Sequence, residues 1–576
     1  MNKHLLLATL LLILVSITAC QTSIKRPIAS AIFSNGTIYT AGTSIKTAEA
    51  LAIADGKIVF IGDKRTANQL IGPQTRIVDL NGGMLLPGLI DAHLHPVRGA
   101  IKELYHCNFP FTSSPQDIQN TVAKCVSDQA DSDWIIGGQW DSAFFDRFEI
   151  ASPRELLDEV SMDKVVFLQD DSLHNAWVNS RALEIAGINR NTPDPEGGTI
   201  MRDANGEPNG VLLETAAIAM GEFRQRYSAD QQQAAVKKFV RDANAFGLTG
   251  AKAASSHSYE IAAIQAVDLQ HALTLHMGTS MRTPDGKRSQ TLDYQAFEKA
   301  RDKYSSPHLD TRFIKIFLDG VPTPARTAAM LAPYIDDDSH AHGFDGGELL
   351  VDPQTLTRDL IEFDKRGFTV KMHAAGDRSV RLGLDAIEAA RSVNGNSGLR
   401  HELAHAGYIS KQDIPRFKEL NAVADLSPIL WHPSPIMDAI FSAVGKKRGQ
   451  YYFPVRDLID AGANLLAGSD WPAVSINANP WVGIESLVSR QDPRGNIAEA
   501  LWPEQAITLA EAIRIYSIDG AHAIRKEAIT GSLETGKSAD FIVLQENLFE
   551  IPLNRISEVL PVQTWFEGRL VYQRDD

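Results

Sequence analysis

Cysteine is scarce in this chain: three in 576 residues, at Cys20, Cys107 and Cys125. None has a Cys-x-x-Cys partner, which argues against a thiolate zinc site. Positive charge is also short. Lys and Arg number 56 against 71 Asp and Glu, a net charge of -15, which argues against nucleic acid as a partner. There is no internal repeat, low-complexity tract or long charge run, so a solenoid or a disordered tail is not indicated. The one extended apolar run, Leu5 to Ile17, lies at the extreme N-terminus and is too short for a comfortable membrane span. What remains is an ordinary globular composition, long enough to bury a large core.

The N-terminal run reads as a targeting segment, with Lys3 as its positive flank. Ile17-Thr18-Ala19-Cys20 resembles a bacterial lipobox, implying cleavage before Cys20 and acylation of its thiol; a plain secretory signal is the alternative. Gln21 after the Cys favours the outer membrane, facing the periplasm. In an exported chain Cys107 and Cys125 could close a disulfide loop, and two buried thiols are the other reading.

Residues 31–80 read as all-β, with hairpin signals at Asn35-Gly36 and Asp55-Gly56, and the C-terminus has another at Glu567-Gly568. Both ends being β suggests one small composite sandwich from residues 21–85 and 531–576. Between them, over 86–530, eight short apolar strands alternate with amphipathic stretches. They end near His93/His95, Ala253, Gly278, Phe317, His373, His405, Leu426 and Asp470, with Lys164–Leu168 assigned to a long insertion at about 100–240. Eight β/α units predict an α/β fold of the (β/α)8 TIM-type barrel.

His93 and His95 are two apart at the end of an apolar run, so a strand would project both to one face, as a metal site requires. Lys315, His373, His405 and Asp470 fall at later strand ends, the rim where such barrels carry chemistry. Lys371 shares a face with His373 and is an alternative lysine ligand; His401, four before His405, is an alternative histidine. Lys252, inside the second strand, has no explanation from the sequence alone.

Several stretches now resemble the amidohydrolase superfamily, in its amidohydrolase family 3, YtcJ-like branch. They include Leu86-Pro87-Gly88-Leu89-Ile90-Asp91-Ala92-His93-Leu94-His95, His174-Asn175-Ala176-Trp177, Lys315-Ile316-Phe317-Leu318-Asp319-Gly320, His373-Ala374-Ala375-Gly376-Asp377 and Gly468-Ser469-Asp470-Trp471-Pro472. The resemblance implies a divalent metal, zinc first, as one or two ions. Its ligands would be His93, His95, Lys315, His373, His405 and Asp470, with Lys315 carboxylated if it bridges two ions. The implied reaction is hydrolysis of a non-peptide C–N bond, in an amide, N-substituted formamide or cyclic amide, by a metal-activated hydroxide. Asp470 would be the acid/base. A deaminase or C–O hydrolase on the same site is the alternative, and an inactive binding lipoprotein a third reading.

Ala404 stands where this branch usually has Glu. His174 and Trp177 fall in the segment resembling the family's substrate cover. His174 is a candidate substrate contact or oxyanion stabiliser, with Trp177, Asp319, Arg378 and His432 as further substrate-contact candidates. The expected partners are a small-molecule substrate and, through Cys20, a membrane; a homo-oligomer is compatible with the sequence.

Overall fold

Residues with positive φ decide where the outer strands turn. Asp55 and Gly56 both adopt it (φ 50° and 76°) and join strands Thr47–Ala54 and Lys57–Gly62 in a tight hairpin. Glu567 and Gly568 do the same between Gln563–Phe566 and Arg569–Gln573. Asn35-Gly36 does not form the expected hairpin. It lies inside one strand, Ala31–Tyr39, where the register with Thr47–Ala54 slips between Ser34 and Ile38. Asn35 (φ 64°) makes a bulge there, and a Cβ on Gly36 would come within 2.4 Å of the Gly83 carbonyl oxygen.

The computed structural model describes residues 27–575, apart from 43, 45, 111, 142–143, 171, 224–225, 285–287, 324, 336–345, 432, 450 and 474. Cys20 and His432 therefore lie outside the described residues. Both termini enter one eight-stranded sheet, joined where Met84–Pro87 pairs antiparallel with Phe541–Leu544. Phe33 packs edge-on against Phe541 and Trp565 on one face, while its neighbour Ile32 packs with Ala52 and Leu70 on the other.

After Gly88 the chain enters a second eight-stranded sheet, all parallel and in sequence order. Its strands are Leu89–Leu94, Leu248–Ser256, His276–Arg282, Leu309–Phe317, Thr369–Ala374, Glu402–His405, Val423–Leu426 and Asn464–Ala467. These are the eight expected strands of a TIM-type barrel. Nearly every residue in them is buried, as both faces of such strands must be. The first and eighth strands meet at their C-terminal ends. The Asp470 N–H donates to the His93 carbonyl (2.8 Å), the His95 N–H to the Trp471 carbonyl (2.7 Å), and the Ser469 N–H to the Asp91 carboxylate (3.1 Å).

Between the first and second barrel strands the insertion builds its own six-stranded sheet, in which Val165–Asp170 is central. Cys107, on its edge strand, is disulfide-bonded to Cys125 of helix Pro115–Asp128. The bond closes an 18-residue separation, worth about 3 kcal/mol in restricted unfolded chain. Cys125→Ser, or reduction, is expected to destabilise the insertion by about that amount. Thermal unfolding with and without reductant checks this; an unchanged midpoint would refute it. Among the described residues no helix is long and apolar enough to cross a membrane.

Candidate metal centre and active site

His93 ends the first barrel strand and His95 opens helix Pro96–Tyr105. The His93 Nδ1–H donates to Asp425 Oδ2 (2.7 Å), so its lone pair is on Nε2, which is buried with no hydrogen-bond partner. That Nε2 lies 3.5 Å from Asp470 Oδ1, and His95 Nε2 lies 3.3 Å from the same oxygen. His405 Nδ1 is 3.9 Å from Asp470 Oδ2 and 3.1 Å from the Ser427 hydroxyl. One carboxylate thus sits among three imidazoles. Ligand atoms of His93, His405 and Asp470 all fall within 4.8 Å of one another. The His373 ring stands 4.6 Å from that of His405, with its Nε2 3.0 Å from the Gly320 carbonyl oxygen.

Burial, then neighbouring positive charge, pushes His93 and His373 well below the ordinary imidazole value. Burial and the adjacent histidines do the same to His405, and burial lowers His95. Neutral imidazoles around a carboxylate, with His93 Nε2 and His95 Nδ1 both buried and without a hydrogen-bond partner, are a donor set that fits a divalent ion. The backbone is strained at two of these strand ends. His405 (φ 71°), Ala406 (φ 41°) and Asp470 (φ 53°) are non-glycine residues in the left-handed region, each at a cost of roughly 1–3 kcal/mol.

Lys315 is buried on the fourth strand, 5.0 Å from the Phe317 ring, with no hydrogen-bond or ion-pair partner among the described residues. Burial and the charge of Lys371 pull its amine down to about 7. Lys371 behaves differently. Burial would lower it too, but Asp425 and Glu402 outweigh that and hold it above the ordinary lysine value. It ion-pairs with Glu402 Oε2 (2.8 Å) and with Asp425, so it is a buried counter-ion and not a lysine ligand. Lys252 now has its explanation. Its Nζ contacts Glu402 Oε1 at 2.5 Å and lies 4.1 Å from the centre of the Phe313 ring. A chain Lys252–Glu402–Lys371–Asp425–His93 therefore runs through the barrel interior to the candidate metal.

His401 is also settled. It is buried between Asp364 Oδ1 (2.9 Å) and the Val370 N–H (3.1 Å), and makes no contribution to the rim.

The insertion brings His174 to the barrel mouth, its ring 5.6 Å from that of His373. Glu214 Oε2 accepts from His174 Nδ1 (2.8 Å), while Glu214 Oε1 accepts from the Thr327 hydroxyl (2.6 Å). Burial disfavours the imidazolium, but Glu214 outweighs it and holds His174 up at about 9. Two other candidates, Trp177 and Asp319, are engaged in holding the fold. Trp177 is fully buried in the insertion's core, its Nε1 donating to the Pro153 carbonyl, and does not reach the cleft. Asp319 accepts from the backbone N–H groups of Ala329, Ala375 and Gly376 and from the Ser379 hydroxyl, tying the turn beyond His373. Burial pushes it up to about 7 in spite of those donors. Arg378, on helix Asp377–Asn394, is not among the residues lining the cavity beside the site.

Residues 76–572 match the amidohydrolase family model. The chain belongs to the amidohydrolase family. As an amidohydrolase it is a hydrolase acting on carbon–nitrogen bonds other than peptide bonds. It is 30% identical to the putative amidohydrolase YtcJ of Bacillus subtilis over 94% of this chain and 99% of that one. It is 27% identical to the N-substituted formamide deformylase of Arthrobacter pascens, over 94% and 98%. The crystal structure of an uncharacterized metal-dependent hydrolase from Pyrococcus horikoshii shares its fold, with TM-score 0.69 at 22% identity, covering 91% of this chain and 99% of that one. Within this amidohydrolase, Glu214 and Asp425 are the site residues that sequence reasoning missed. Asp425 had one signal, a carboxylate inside the apolar run Ala422–Leu426. Glu214 had none, since its partner His174 lies 40 residues away.

Proposed function

We propose that this amidohydrolase hydrolyses N-substituted amides, formamides or cyclic amides at a zinc site held by His93, His95, His373, His405 and Asp470. The observation that carries this is the Asp470 carboxylate, 3.3–3.9 Å from three buried imidazoles. Zinc bound there would lower the pKa of a water to about 7 and polarise the substrate carbonyl. Asp470 then takes a proton from the attacking water and returns it to the leaving nitrogen. A C–O bond forms, the C–N bond breaks, and the products are a carboxylate and an amine. His174, kept protonated by Glu214, donates a hydrogen bond to the carbonyl oxygen as negative charge develops on it.

Lys315 is the candidate for carboxylation as the ligand bridging a second ion. Its amine, pulled down to about 7, is substantially neutral at physiological pH and so nucleophilic toward CO2, and the resulting carbamate supplies anionic oxygen where ammonium cannot. The formamide deformylase relative supports the amide class. The lipobox-like N-terminus and the disulfide support an exported, lipid-anchored enzyme.

The test is a panel of N-substituted formamides, amides, lactams and cyclic ureides. Turnover of at least one class is expected with zinc, abolished by a chelator and restored by zinc. Intact-mass measurement is expected to show one CO2 on the wild type and none on Lys315→Met. A zinc-loaded protein that turns over no member of the panel would overturn the reading.

A further inference from the structure

Helix Pro96–Tyr105 leaves the metal site directly behind His95. Its Val97, Arg98, Ile101 and Lys102, at helical spacing, line one wall of a cavity of about 280 Å³. The facing wall comes from the insertion and carries an apolar patch of Ile136, Phe167, Ala217 and Ile218, with Gln139 and Gln169 beside it. His174 and Pro472 border it on the side of the metal site. Four cationic side chains, Arg98, Lys102, Arg226 and Arg282, line this cavity against two carboxylates, Glu222 and Glu260, in a chain whose net charge is -15. Glu260 is engaged by Arg98 Nε (3.2 Å) and the His257 N–H (2.7 Å).

Lys102 differs from the arginines. Its Nζ donates to Gln139 Oε1 (2.5 Å), and Gln139 is held in that orientation because its Nε2 donates to the Pro472 carbonyl (3.0 Å). The adjacent Glu103 is ion-paired with Lys238. Among the described residues Lys102 has no carboxylate partner. An ammonium has three donors. Burial pulls this one down to about 8, the charge of the adjacent Glu103 only partly opposing it.

We infer that Lys102 is the counter-ion for a carboxylate carried by the substrate, so that the enzyme acts on amides with an apolar body and an anionic group several bonds from the scissile C–N bond. Lys102 lies seven residues beyond His95, about 10 Å along the helix axis, and a helical lysine leans back toward the N-terminus, here toward the metal site. The apolar patch takes the body between the two ends. This rests on the hydrolase reading of the Asp470 site.

The experiment compares 4-(formamidomethyl)benzoic acid, whose ring separates the formamide from the carboxylate, with its neutral carboxamide on the full-length, zinc-loaded wild type, Lys102→Met and Lys102→Arg. The wild type is expected to favour the acid by ten-fold or more in kcat/KM, through KM. Lys102→Met should collapse that ratio toward one and Lys102→Arg should retain it. Calorimetric binding of the acid, measured on the same proteins, is expected in the wild type and lost in Lys102→Met. A wild-type ratio near one, or an acid preference that survives in Lys102→Met, overturns the proposal while leaving hydrolysis standing. If neither probe turns over, the hydrolase reading loses its support, and Lys102 is judged by calorimetry alone: acid binding that depends on it supports the subsite, and binding that does not overturns it.

Discussion

Asp470→Asn is expected to lower kcat by about 10³–10⁴-fold while the barrel stays folded. The substitution is nearly isosteric, and asparagine tolerates the left-handed backbone (φ 53°) that this position imposes, so little of the effect can come from strain. What is lost is the anionic oxygen that lies 3.3 Å from His95 and 3.5 Å from His93. The amide cannot accept the proton of the attacking water or return it to the leaving nitrogen. The histidines keep their lone pairs, so much of the metal should remain bound. Kinetics on the best formamide, with metal stoichiometry by elemental analysis and a thermal midpoint, check the prediction. A kcat within ten-fold of wild type would remove Asp470 from the proton-transfer role.

Lys371→Met is expected to be the most destabilising single change in the barrel, costing about 3–5 kcal/mol, because it leaves the buried Asp425 carboxylate without a contacting cation and Glu402 with Lys252 alone. Lys371 is fully buried between Glu402 and Asp425 and also donates to the Ala92 carbonyl (3.2 Å). Methionine fills the space and removes only the charge. Asp425 also orients His93 (2.7 Å), so zinc affinity should fall in parallel. Adding Asp425→Asn removes the carboxylate that Lys371→Met leaves without a cation, Glu402 keeping Lys252, and the double variant should be less destabilised than the sum of the singles. Denaturant unfolding with chelator competition for zinc measures both. Additive losses, or a stable Lys371→Met with unchanged zinc affinity, would show that the four charges do not act together.

The strand ends were legible because each is a short apolar run closed by a polar residue, and that pattern located His93, His95, Lys315, His373, His405 and Asp470. The turn signals were legible as conformations but not as chain paths. Asp55 and Gly56 both adopt left-handed backbone and reverse the chain, whereas at Asn35-Gly36 only Asn35 does, and one such residue bulges a strand without turning it. Motif membership overreached at Trp177 and Asp319, which hold the fold beside the site. The four interior charges could not be read singly, because each is an isolated polar residue in an apolar strand. Only the lateral register, which sets Lys371 beside Glu402 and Ala404 beside Asp425, brings opposite signs together.

The seam between the first and eighth barrel strands has a temporal meaning. Ser469 and Asp91, whose contact helps close it, are 378 residues apart in the chain. At a synthesis rate of about 5–20 residues per second, the first strand waits roughly 20–75 s for its neighbour to exist. The histidines of the first strand and the aspartate after the eighth cannot meet before then, and the sheet joining the two termini waits longer still, for Phe541–Leu544. The complete ligand set is therefore a property of the nearly finished chain: a ribosome that stops before Asp470 releases a polypeptide that holds the histidines but lacks the carboxylate among them and the eighth strand's seam with the first.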